Sequence, residues 1–178
     1  MSEVLHVVAL AAALVGAGSL GLMRRTIGRP ELAAGALMVV GMTDAMTVAL
    51  LPPIVWFAVM LPAALALAAG CRSPRAGRPN AGAGSSLLTA HLALGLVSTA
   101  ALILLMTAMG PGGEAVTGAH GHRHGGGADM PQLMAGALGL GAIVLGAVAL
   151  HGERAWTHRL HHVTMTASTV AMSAIVIL

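Results

Sequence analysis

The chain has no lysine and no tyrosine, one cysteine, one phenylalanine and two tryptophans, and only six acidic residues among 178. The single cysteine, Cys71, excludes an intrachain disulfide and the paired-cysteine zinc and redox motifs. Charged residues make up 8% against 57% hydrophobic, too few to cover a water-soluble domain, so the composition points to lipid as the solvent. Signatures of hydrolytic and ATP-driven enzymes are missing as well: no HExxH, no Gly-x-Ser-x-Gly elbow and no Gly-Lys-Ser/Thr phosphate loop. Nine Arg outnumber the six acids, but they sit mostly in the breaks between apolar runs, where they orient a membrane protein and do not make a nucleic-acid surface.

What is present is a series of six apolar stretches, at about 20 residues per span. They fall at 4–23, 31–51, 53–70, 86–109, 131–151 and 159–178, and predict an all-α polytopic helix bundle forming one transmembrane domain over 1–178. The first run is read as a retained helix and not a secretory signal, because Ser2-Glu3 precedes it and Arg24, Arg25 and Arg29 follow it. Arg72, Arg75 and Arg78 follow the third span, and Arg154 and Arg159 the fifth, whereas the alternate breaks carry only Arg123. The positive-inside rule then places both termini outside. Arg-only basic usage with heavy Ala and Gly suits a high-GC bacterial genome, hence a bacterial plasma membrane. Segments 71–85 and 110–130, rich in Gly, Pro and Ser, are expected to be mobile loops, and Pro52-Pro53 a tight turn.

Small residues recur four apart at Ala12/Gly16, Ala135/Gly139 and Ala142/Gly146, a spacing that lets helix backbones approach closely in lipid. The pattern P-x-L-x-A-G-A-L opens both the second span, at Pro30–Leu37, and the fifth, at Pro131–Leu138. The two copies would enter the membrane from opposite faces, as inverted repeats do.

The candidate chemistry consists of His, Met and one Asp. In the last span His158, His161, His162, Met165, Thr169 and Met172 share one helical stripe, and in the second Met38, Met42 and Met46 form a ladder. Imidazole with thioether is a soft donor set that points to copper. The opposing reading makes the histidines interfacial and the methionines core filler. His91 in the fourth span lies at the depth of His161 and His162, and Met106 and Met109 follow it on or near the same face. Two such imidazoles could instead hold a haem b, although aromatics are scarce. His120, His122 and His124 in the outer loop form a short metal-binding tract. Asp44 is the candidate for proton or ligand coupling, since an unpaired carboxylate within a span costs about 3 kcal/mol.

Through Met38-Val39-Val40-Gly41-Met42-Thr43-Asp44-Ala45-Met46 and His161-His162-Val163-Thr164-Met165 with Met172, the chain resembles a family of small actinobacterial membrane proteins known only as a domain of unknown function. The resemblance implies five or six helices, H-x-x-M signatures and copper handling. Ala33 and Ala34 stand where that pattern would carry a His. The expectations are therefore a six-helix protein that binds copper for transport, storage or delivery, with a haem-binding electron-transfer subunit, a non-catalytic scaffold and a small-solute transporter centred on Asp44 as alternatives. In the copper reading the outer histidines collect the ion, Met106, Met109, Met42, Met46 and Met38 pass it inward, and His91, His161, His162 and Met165 hold it. The expected partners are the lipid bilayer and a homo-oligomer or larger membrane complex.

Overall fold

The computed structural model describes residues 2–24, 27–72, 83–108, 130–153 and 155–178. They form α1 (Ser2–Leu22), α2 (Arg29–Thr43), a π-helical turn (Asp44–Val48), α3 (Pro53–Arg72), α4 (Ala83–Ala108), α5 (Met130–Gly152) and α6 (Trp156–Ile177). All six helices, the second counted with its π turn, are long and apolar enough to cross a membrane. In hydrocarbon a helix is the element that satisfies every backbone polar group internally, and the sequence supplies little else.

Several boundaries differ from the sequence expectation. α3 runs on to Arg72 and α4 starts at Ala83, so part of the expected 71–85 loop is helical. Most of the two expected loops, including His120, His122 and His124, lies outside the described residues, as does Met109 at the end of the expected fourth span. The second span, expected to reach residue 51, instead leaves the α-helix at Thr43 and ends with the π turn at Val48. The cause is local. Ala49 adopts a left-handed conformation (φ 50°, ψ 45°), and its N–H bonds to the Asp44 carbonyl at 2.7 Å, closing the wider π ring. The Asp44 carboxylate then accepts the next two N–H groups, Leu50 at 2.8 Å and Leu51 at 3.2 Å, and the indole Nε1–H of Trp56 at 2.7 Å. Pro52 and Pro53 prevent the helix from simply continuing.

α4 and α6 are the inner helices, with half of each spanning window buried, whereas α3 and α5 are peripheral, with 22%. α6 packs between α1 and α5 and also meets α4. α4 lies against α3 and contacts α2 and α5. Close approach to α6 depends on small residues. A Cβ on Gly16 would come within 2.6 Å of Met165 Sδ, and one on Gly139 within 3.0 Å of Ser173 Oγ. The glycines of the sequence's small-residue pairs thus face the same helix.

Candidate functional site

α6 carries an unusual load of buried polar side chains: His161, His162, Ser168, Thr169 and Ser173. The hydroxyls are satisfied by backbone carbonyls. Ser168 donates to Ala9 at 2.9 Å, Thr169 to Met165 at 3.1 Å and Ser173 to Thr169 at 2.9 Å. Such back-bonding lets a hydroxyl helix sit in an apolar bundle with no further partner. The imidazoles are treated differently.

His161 Nδ1 lies 3.0 Å from the carbonyl oxygen of Gly16 on α1. A carbonyl can only accept, so Nδ1 carries the hydrogen, and the neutral ring presents a bare lone pair at Nε2. That Nε2 is buried and has no hydrogen-bond partner, and the same holds for Nδ1 of His162. A histidine that donates one N–H to a backbone carbonyl and leaves its other nitrogen free has the orientation used by metal-ligating imidazoles. His91 on α4 completes the cluster. Its ring centroid lies 4.6 Å from that of His162 and 6.0 Å from that of His161, which are themselves 5.7 Å apart, all edge to face. Beside the rings is a cavity of about 20 Å³ lined by His91, His161, Met38, Met165, Ser98 and Thr169, among others.

The structure therefore brings His91, His161, His162, Met38 and Met165 together from α2, α4 and α6. Met42 and Met172 are fully buried in the core, with the sulfur of Met42 3.7 Å from Ser168 Oγ. Met46 and Met106 pack at its edge. His158, on the same stripe, pairs with Glu153 at 3.0 Å. Among the described residues no three His, Cys, Asp or Glu side chains are arranged as a ready-made metal cage. The cluster as placed offers two free imidazole nitrogens and neighbouring thioethers, a donor set short of a tetrahedral site.

Asp44 lies at the π turn, 8% exposed, with its three N–H donors. It was expected to need a partner, and it has three, all of them structural. One participant escaped sequence reading: the Gly16 carbonyl, signalled only by its small-residue pair with Ala12.

What the fold defines is an all-α bundle whose six helices are long and apolar enough to span a membrane, with an imidazole cluster between α4 and α6. No protein-family model, curated protein or solved structure matches the chain.

Proposed function

We propose that the chain is a multi-pass protein of a bacterial plasma membrane that binds a soft transition-metal ion, copper first, in transport, storage or delivery. The observation that carries this reading is the free Nε2 of His161, fixed by the Gly16 carbonyl and buried beside His91 and His162. An imidazole nitrogen buried with no partner loses its hydrogen bonds to water without replacement, a cost of about 1–3 kcal/mol. A cation in the cavity would offset it. The nearby thioethers of Met38 and Met165 favour Cu(I) over hard ions. Cu(I) tolerates few ligands, which suits a cluster that is not a full cage. A cavity of about 20 Å³ has room for an ion or a water but not for a porphyrin, so the haem alternative finds no support in the cluster's shape.

The test is elemental analysis of the detergent-purified chain without a histidine tag, after loading with Cu(I) and washing. Near-stoichiometric copper is expected, with loss in the His91→Ala, His161→Ala, His162→Ala triple variant. Equal retention by the triple variant would overturn the assignment. Because the ligating imidazoles must be neutral, retention should also fall as the wash is made more acidic.

A further inference from the structure

His158 is the third residue of α6 and the first of that helix's histidines met from the Arg-bearing end of the bundle. Its side chain is 18% exposed, whereas His161 and His162, one turn further in, are fully buried. The ring is held in place. Its Nδ1 lies 3.0 Å from Oε2 of Glu153, in the short connection between α5 and α6, and the other carboxylate oxygen accepts the Ala155 N–H at 3.3 Å. An ionised carboxylate can only accept, so Nδ1 carries the hydrogen and the neutral ring keeps its lone pair at Nε2. His161 has the same tautomer for the same kind of reason, with the Gly16 carbonyl as its acceptor. Two imidazoles one turn apart on one stripe are thus tied through Nδ1, each with Nε2 left as a donor to a metal.

A carboxylate bound to Nδ1–H orients a metal-ligating imidazole and raises the basicity of its Nε2. The neighbours of His158 on the stripe are the unpartnered nitrogens of the cluster, Nε2 of His161 and Nδ1 of His162. They stand three and four positions along, a spacing that puts helix side chains about 5–6 Å apart. Other directions are less inviting to a cation. Toward α5 the cavity is walled by Ala142 and Leu145, and toward the far end of the bundle lie Met42 and Met172, both within the buried core. One turn of α6, about 5 Å along the axis, separates the cluster from His158.

We propose that His158, oriented by Glu153, is the exchange ligand that carries a soft cation between water at the Arg-bearing end of the bundle and the imidazole cluster. The proposal rests on the metal reading above and names the route by which that site fills and empties. In each transfer a bond forms between the ion and Nε2 of His158 as a bond to a cluster nitrogen breaks, and the reverse on loading. Nδ1 keeps its hydrogen throughout, so neither a proton nor an electron moves. Glu153 does not touch the ion; it is a positioning residue.

The experiment mixes the Cu(I)-loaded full chain, purified in detergent without a histidine tag, with an excess of a sulfonated aromatic-diimine chelator that colours on binding Cu(I), and follows release by absorbance. His158→Ala should hold as much copper as the wild type and release it about tenfold more slowly. Glu153→Leu should be slowed in the same direction, and Glu153→Gln, which keeps an oxygen for the ring N–H, should release faster than Glu153→Leu. Release from His158→Ala at the wild-type rate or faster overturns the proposal, as does a lowered thermal midpoint with unchanged release, which would mark the pair as a structural tie. Should His158→Ala fail to fold, the two Glu153 variants decide, and equal rates in them overturn it. A wild type that retains no copper overturns the metal reading and the proposal with it, whereas equal release from copper-holding wild type and His158→Ala overturns the proposal alone.

Discussion

Asp44 shows how a residue marked as unusual by its place in an apolar span acquires a structural role. On a straight helix its carboxylate points away from the Met38–Met42 ladder and into trouble. In the structure the helix is not straight there, and the side chain gathers the N–H groups of Leu50, Leu51 and Trp56 across the break. The bond to Trp56 is buried, so Asp44→Ala should destabilise the fold. The loss should appear as a lower thermal midpoint and an altered emission from Trp56, since the other tryptophan, Trp156, is 74% exposed. Copper retention by the protein that remains folded should be unchanged; a selective loss of copper would return Asp44 to the site. His161 is the converse case. Its place on a polar stripe and its depth near His91 were legible in the spacing of α6 and α4. Its tautomer was not, because that depends on a carbonyl 145 positions away in sequence.

At the scale of elements, the helices and their order were open to sequence reading, since six long apolar runs in lipid have one secondary structure available. Packing order was not, because hydropathy says which residues leave water and not which neighbours they meet. The small-residue pairs held part of the answer: Gly16 and Gly139 sit where Met165 and Ser173 of α6 press against α1 and α5. Gly16→Val should therefore overpack the α1–α6 contact by about 1–3 kcal/mol. It should also lower copper retention by displacing Met165 and the Gly16–His161 bond. Gly18→Ala, whose added Cβ meets nothing within 4 Å, should leave both the thermal midpoint and copper unchanged. Equal behaviour of the two variants would argue against a close α1–α6 contact at this level.

For the whole molecule, the distribution of Arg predicts that the ends of α2, α4 and α6 nearest Glu31, His91 and His161 face the cytoplasm. The lone cysteine makes this measurable. A membrane-impermeant maleimide added to intact cells should leave Cys71 unlabelled until the membrane is opened, whereas Gly118→Cys in a Cys71→Ser background should label at once. The reverse pattern would invert the bundle. The polar burden of α6 carries a further consequence, for biogenesis. With α2, α6 is one of the two least apolar spans, and its buried hydroxyls and imidazoles meet α1 and α4. Since α6 leaves the ribosome after both of those helices, its receiving groove is already in the bilayer when it arrives. A chain with the same helices in another order would ask the insertion machinery to hold a histidine-bearing segment in lipid before anything there could shelter it.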